Sequence, residues 1–290
     1  MASIVQAIMT GILLGGLYAL IGVGMSLIFG IMKITNIAHG DLMILSAFFT
    51  LMLTANLFKS IILALIVSII IMIVIGVLVQ KFLINSVIDK GSEPALLVTF
   101  GLSIVLQNAM ILKFGPNSQL ISTAISEVNI FRHGQLSMSG QYLLNFVVAV
   151  VIIVILTILI NRTSLGRGIR ATSNDVMAAE LMGINTKRMY IIAMALTMTA
   201  TCIAGLLVGS TFVFYPSSGT QYLIIAFGVV VIGGMGSIPG TLIGGIILGV
   251  TQLLGASIFG TPYQMLTGYV VLLILLTLRP QGLLGKAKRK

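Results

Sequence analysis

The chain has 290 residues, of which 58% are hydrophobic and 8% are charged, and its mean hydropathy is +1.17. Soluble domains carry about 25% charged residues, so this composition excludes a soluble globular protein and predicts an integral membrane protein. The single cysteine, Cys202, lies within an apolar run, which excludes a disulfide framework. The first residues carry no basic segment and lead into an apolar run, which favours a retained membrane span over a cleaved signal peptide.

Apolar runs recur along the whole chain. A helix needs about 20 apolar residues to cross the hydrocarbon core, so the runs predict an all-α, polytopic integral membrane protein with about eight or nine transmembrane helices, some of them broken. Strand alternation is missing from the long runs, so a single helical domain of residues 1–290 is favoured over a barrel. The nine runs, two of which are short for a full span, are Ile4–Ile31, Ile37–Phe58, Ile61–Gln80, Ala95–Leu112, Tyr142–Ile160, Met189–Thr211, Tyr222–Met235, Leu242–Phe259 and Tyr263–Leu278.

The basic residues indicate how the spans are oriented. If the segment 162–188 is cytoplasmic and the spans alternate, 13 of the 16 Lys and Arg residues fall inside, and only Lys59, Lys113 and Arg132 fall outside. The positive-inside rule favours this arrangement, which places the C-terminus in the cytoplasm. The net charge of +10 is then explained by topology and anionic membrane lipid, without nucleic acid as a partner. The longest external loop, Phe114–Gln141, is expected to dock a partner or to connect two spans.

Enzymatic chemistry is not indicated. The two histidines, His39 and His133, are expected on opposite sides of the membrane, so a metal site formed by both is not expected. No segment matches the phosphate-binding pattern Gly-x-x-x-x-Gly-Lys-[Ser/Thr], and the glycine-rich segment 233–240 lacks its lysine. We therefore expect no catalytic residue, no metal and no cofactor in this chain.

The glycine spacing has an explanation in helix packing. Gly236, Gly240 and Gly244 repeat every four residues, which would place them on one face of a helix. Small residues at this spacing let two helices approach closely in a membrane. Pro239, between two short apolar runs, suggests a tight turn or a broken helix.

A polar stripe crosses the fourth apolar run. Thr99, Ser103 and Gln107 are four residues apart, so they share one helix face that lipid would reject. This face is expected to contact other helices through hydrogen bonds or to line a wet pathway, and the sequence favours neither.

The segment between the first two apolar runs also allows two interpretations. It contains Asn36, His39 and Asp41. One interpretation is an ordinary cytoplasmic turn, with Asp41 near the start of the next helix and favoured there by the helix dipole. The other is a helix break at membrane depth, where the polar side chains line a gate or a substrate path. Every charge of the chain is expected at or near the end of a span.

The basic, helix-patterned segment 162–188 carries a family resemblance. Ala178, Ala179 and Gly183 match the Glu-Ala-Ala-x-x-x-Gly core in the cytoplasmic loop of ATP-binding-cassette importer permeases, although Met177 replaces the leading glutamate. The match is more specific to the LIV-type branched-chain amino-acid permeases, which this chain also resembles at 16–20, 36–40, 233–240 and 279–283. The ATPase-coupling residues implied by this resemblance are Arg167, Arg170, Asp175, Ala178, Ala179, Glu180, Leu181, Gly183, Ile184 and Asn185.

The resemblance implies a permease subunit that moves branched-chain amino acids across the bacterial inner membrane into the cytoplasm. The implied partners are a second permease chain, two ATP-binding subunits that use the ATP, and an extracytoplasmic solute-binding protein. Urea or a short amide is an alternative cargo of the same importer class. A channel or a secondary transporter is less favoured: Asn36-Ile-Ala occurs once and lacks the proline of the water-channel motif, and ion coupling needs charges at mid-span.

Overall fold

The computed structural model describes residues 2–123, 129–133, 136–279 and 281–285. It is a bundle of helices, which confirms the all-α, multi-pass class. Within the described residues, eight helical segments are long and apolar enough to cross a membrane. The α-helices are α1 (Ala2–Met32), α2 (His39–Asn56), α3 (Ile61–Leu78), α4 (Ser92–Phe114), α5 (Gly140–Arg162), α6 (Ser164–Asn174), α7 (Val176–Leu181), α8 (Thr186–Thr211), α9 (Gly219–Gly233), α10 (Ile238–Phe259) and α11 (Gln264–Leu278).

Helix α1 lies at the centre of the bundle and contacts α5, α8, α9 and α10. Its closest partner is α10, because glycines on both helices remove the side chains from the contact. A Cβ at Gly245 would lie 2.3 Å from the carbonyl oxygen of Gly15, and one at Gly249 would lie 2.5 Å from that of Gly11. Close packing of this kind stabilises helix pairs where lipid provides no hydrophobic drive.

The predicted glycine face is partly wrong. Gly240 and Gly244 do lie on α10 and contact α9, where a Cβ would come within 2.3 Å of the carbonyl oxygens of Gly233 and Val229. Gly236 precedes α10 and lies in the turn between α9 and α10 with a φ of +82°. Glycine adopts this conformation without the strain of other residues, and the turn brings Gly236 against Gly30 of α1.

One end of the bundle collects the basic segments that the sequence places inside. Lys187, at the start of α8, forms a 3.4 Å ion pair with Asp89, in the short 3₁₀ turns that follow α3. The Ser173 hydroxyl of α6 donates to the carbonyl of Gly30 near the end of α1. The backbone N–H of Leu283 donates to the carbonyl of Ile232 on α9, which brings the described C-terminal residues to this end.

The opposite end carries the long loop between α4 and α5. It contains a small antiparallel hairpin, β1 (Asn129–His133) paired with β2 (Leu136–Ser139), which the apolar pattern did not predict. Residues 124–128 and 134–135 of the loop lie outside the described residues. Aromatic contacts fix this end of α4, since the Phe48 ring stacks on Phe114 with centroids 4.6 Å apart and meets the edge of Phe214 at 5.0 Å.

Helix α2 does not behave as the predicted span Ile37–Phe58. It is absent from the eight spanning segments, and most of its residues are buried within the bundle. The residues between α1 and α2 are not helical, and several of them are buried as well, including Ile34 and Asn36. The chain therefore returns from the end of α1 into the bundle before α2 begins.

Candidate functional site

Asp41, in the first turn of α2, is a buried carboxylate in contact with the polar stripe of α4. Its Oδ2 accepts a 2.5 Å hydrogen bond from Ser103, and its Oδ1 accepts a 2.9 Å bond from the Gln107 amide. Gln107 also lies 3.4 Å from the hydroxyl of Thr220 at the start of α9. Ser103 is near the middle of α4, so the prediction that every charge lies at or near the end of a span is wrong for Asp41.

A second contact joins the same elements one turn earlier on α4. The backbone N–H of Ile37 donates to the Thr99 hydroxyl at 3.2 Å. The stripe of Thr99, Ser103 and Gln107 thus bonds to the residues on both sides of the α2 start. Hydrogen bonds of this kind satisfy polar groups that lipid cannot.

The starts of α2 and α9 meet through two glycines. A Cβ at Gly40 would come within 2.0 Å of the Gly219 carbonyl oxygen, and one at Gly219 would come within 2.0 Å of an Asp41 carboxylate oxygen. Both helices thus begin inside the bundle, with Asp41 held against the start of α9. Discontinuous helices that begin within a membrane protein are typical of substrate sites in transporters.

The interpretation of 36–41 as an ordinary cytoplasmic turn is wrong, because Asn36, His39 and Asp41 are almost fully buried. His39 lies on the other side of α2, where its Nε2 is 3.1 Å from the Ile21 carbonyl oxygen of α1. Its Nδ1 and the Nδ2 of Asn36 have no hydrogen-bond partner among the described residues. His39 was expected at one side of the membrane, but its contact with Ile21, well inside α1, places it away from the helix ends.

The second candidate site is the predicted coupling segment, which forms α6 and α7 at the basic end of the bundle. Helices α7 and α8 each begin with a side-chain cap. Asp175 Oδ1 accepts from the Ala178 N–H at 3.0 Å and starts α7, and Asn185 Oδ1 accepts from the Arg188 N–H at 2.9 Å and starts α8. These caps satisfy backbone donors that the helix leaves unpaired. Gly183 ends the turn with a φ of +80°, a conformation that favours glycine.

Three polar contacts tie this segment to the spans. Arg170 of α6 donates to the Ile160 carbonyl near the end of α5, and Ser173 donates to Gly30 of α1. Glu180 of α7 accepts a 2.6 Å hydrogen bond from the Thr186 hydroxyl at the start of α8. A displacement of α6 and α7 would therefore act directly on α1, α5 and α8.

The outer face of α7 is apolar and uncovered. The exposed fraction is 75% for Met177, 82% for Leu181 and 81% for Met182, whereas Ala179 on the opposite face is buried. The neighbouring Arg167, Asn185 and Arg188 are exposed as well. An exposed apolar patch rimmed by polar residues is typical of surfaces that contact a protein or a membrane. Ile184, between them, is half-buried.

Sequence reasoning missed several residues that complete these sites. Gly219 and Thr220 carry no local motif, and only the fold brings them to Asp41. Ser173 and Thr186 lie within the coupling segment 162–188, and their place in this polar segment was the sequence signal that could have identified them. No group of His, Cys, Asp and Glu that could hold a metal occurs among the described residues.

The chain matches the family described as "Branched-chain amino acid transport system / permease component" over residues 7–278. It is 31% identical to the high-affinity branched-chain amino acid transport system permease protein BraD of Pseudomonas aeruginosa, over 97% of this chain and 95% of that protein. It is 28% identical to the permease protein LivH of Escherichia coli K12 over the same shares. A fructose import permease, FrcC of Rhizobium meliloti, is 30% identical over 67% of this chain and 57% of its own length. No solved structure matches.

The fold is that of a multi-pass helical membrane protein, and the matches to permeases make it a transport protein. The match extends over nearly all of the chain, and the chain belongs to the family of permease components of branched-chain amino acid transport systems.

Proposed function

We propose that this chain is a permease subunit of an ATP-driven importer that carries branched-chain amino acids into the cytoplasm. The observation that carries the proposal is the family match over residues 7–278. Relatives named for high-affinity branched-chain amino acid transport, which align with 97% of the chain, support the cargo. The bundle supplies the path, and the chain itself performs no chemistry.

The proposed complex contains a second, similar permease chain, two ATP-binding subunits and an extracytoplasmic solute-binding protein. The uncovered apolar face of α7, with Met177 and Leu181, supports a docking role toward the ATP-binding subunits. ATP binding and hydrolysis in those subunits would move α6 and α7. The contacts Arg170–Ile160, Ser173–Gly30 and Glu180–Thr186 would pass this movement to the spans.

The proposed location is the bacterial inner membrane, with the C-terminus and the α6–α7 end in the cytoplasm. The support is that basic segments lie together at one end of the bundle, where the ion pair of Lys187 with Asp89 joins two of them. Basic residues accumulate on the cytoplasmic side of membrane proteins. The sequence offers no phosphate-binding loop, which agrees with ATP use by the partner subunits.

Reconstitution into proteoliposomes tests this function. The chain is co-expressed with the expected permease and ATP-binding partners, purified as a complex and supplied with the binding protein outside and ATP inside. We expect uptake of labelled leucine that requires ATP and persists when ionophores collapse proton and sodium gradients. Uptake without the ATP-binding subunits, or uptake driven by an ion gradient, would contradict the proposal. Competition with unlabelled urea or acetamide decides between the two cargo classes.

A further inference from the structure

Among the described residues, no positively charged side chain forms an ion pair with Asp41. Its side chain is 1% exposed, and its two hydrogen-bond donors, Ser103 and Gln107, are both neutral. Among the described residues the ion pair Lys187–Asp89 is at the basic end of the bundle and does not involve it. A buried charge without a partner is costly, and an ionisable residue within a membrane bundle is a candidate functional site.

The Asp41 carboxylate has acceptor positions that its described hydrogen bonds do not use. An ionised carboxylate has about four acceptor positions, and the described contacts of Asp41 use two of them. Ser103 and Gln107 fix the plane of the group through one bond to each oxygen. The remaining acceptor positions suit a group with several donors and a positive charge, since such hydrogen bonds are the strong ones.

A second buried polar group without a hydrogen-bond partner lies close to Asp41 along the chain. The side-chain nitrogen of Asn36 is buried and has no partner among the described residues, while its Oδ1 accepts from the Ala38 N–H at 3.0 Å. The next residue, Ile37, bonds to Thr99, one helical turn from Ser103 on α4. A buried amide donor without a partner is rare. The segment 36–41 thus offers an unpaired negative charge at Asp41 and an unpaired donor at Asn36, and two of its residues, Ile37 and Asp41, bond to one face of α4.

We propose that Asp41 binds the α-ammonium group of the transported amino acid and that Asn36 donates to its carboxylate. Every α-amino acid carries this pair of groups, so the site recognises the class of cargo and leaves the choice of side chain to other groups. The inference rests on the proposed function, and it adds a binding site within the permease itself.

Access to this site runs between α4 and α9. Gln107 is half-buried and Thr220 is exposed, so their weak 3.4 Å contact lies between Asp41 and the surface of the chain. Helix α4 buries few residues, among them Thr99, Ser103 and Met110. A small outward displacement of α4 would break the contacts of Gln107 with Asp41 and Thr220 and expose the carboxylate to cargo.

A purely structural role makes a different prediction. Asp41 is also placed where the positive ends of the α2 and α9 dipoles meet, and a carboxylate there stabilises both helices. Under that role, removing the charge lowers stability and leaves ligand recognition alone. The two roles are separated by ligands that carry only one of the two charged groups of leucine.

The experiment measures equilibrium binding of labelled leucine to the complete purified transporter in detergent, without the solute-binding protein. Competitors are 3-methylbutylamine, which keeps the ammonium group, and 4-methylpentanoate, which keeps the carboxylate. We expect the amine to compete at least tenfold better than the acid. Asp41→Asn should weaken leucine binding at least tenfold and abolish competition by the amine, while the control Glu93→Gln, at an exposed carboxylate of α4, leaves both unchanged.

Several outcomes overturn the inference. These are a wild-type transporter that does not bind leucine, an amine that competes no better than the acid, or an Asp41→Asn variant with unchanged affinity. The competition experiment on the wild type decides the matter even if Asp41→Asn fails to fold. ATP-driven leucine uptake by the wild type is measured in parallel. Absence of this uptake contradicts the proposed function, whereas intact uptake with failed competition by the amine contradicts only the Asp41 site.

Discussion

Gly40 and Gly219 are in direct backbone contact: a Cβ at position 40 would lie 2.0 Å from the carbonyl oxygen of Gly219. This contact joins the starts of α2 and α9 inside the bundle. Gly219 also helps to set the position of Asp41, because it lies directly against the Asp41 carboxylate. The buried polar cluster therefore depends on two residues that have no side chain.

Replacing Gly40 with Ala should separate α2 from α9 and disturb the Asp41 cluster. The clash is with backbone, which cannot rotate away, and overpacking of this kind costs about 1–3 kcal/mol. We expect a lower melting temperature of the purified chain in detergent and a loss of transport. Gly101→Ala is the matched control, because a Cβ at Gly101 on α4 meets nothing within 4 Å. Equal melting temperatures for the two variants would contradict this account of the contact.

The apolar pattern predicted the positions of the spans well, because hydrophobic runs of sufficient length have few other uses. It could not decide the structure of the segment that contains Asn36 and Asp41. A cytoplasmic turn and a break inside the bundle have the same composition, and only the distant partners Ser103 and Gln107 distinguish them. The polar stripe on α4 was visible as a spacing, but its partner on α2 was not.

The sequence pattern also could not predict which glycines have a positive φ angle. Gly236 fits a four-residue spacing with Gly240, yet it lies in a turn, because Pro239 is in the first turn of α10 and the helix begins only at Ile238. The helical pattern of the segment 162–188 was easier to recognise, and in the structure Asp175 caps the start of α7 and Gly183 ends the turn after it. The role of that segment in coupling stays a prediction.

Replacing Gly240 with Leu should damage folding, because Gly240 allows α10 to approach α9. A Cβ there would come within 2.3 Å of the Gly233 carbonyl oxygen, and a leucine adds three further carbons. We expect little monodisperse protein by fluorescence-detected size-exclusion chromatography. Gly101→Leu, on the exposed face of α4, is the control for added bulk. Normal expression and stability of the Gly240 variant would refute the packing role.

Replacing Ala178 with Arg should weaken association with the ATP-binding subunits and leave membrane insertion intact. Ala178 is exposed in this chain, so the larger side chain meets water here and obstructs only a docked partner. The measurement is co-purification of the ATP-binding subunits with the tagged permease. Ser92→Arg, an exposed position at the start of α4, controls for the added charge. If the Ala178 variant retains its partner at wild-type levels, α7 is not the docking helix.

Replacing Thr186 with Val should separate ATP hydrolysis from transport. The Thr186 hydroxyl donates to Glu180 at 2.6 Å and ties α7 to the start of α8, and a hydrogen bond to a charged group contributes about 1.5–3 kcal/mol. Valine keeps the shape and removes the bond, so the ATP-binding subunits should still bind and hydrolyse ATP. We expect fewer leucine molecules imported per ATP in proteoliposomes. Thr199→Val is the control, because the Thr199 hydroxyl bonds only within α8, to the Ala195 carbonyl. An unchanged ratio in the Thr186 variant would show that movement of α7 reaches the spans by another route.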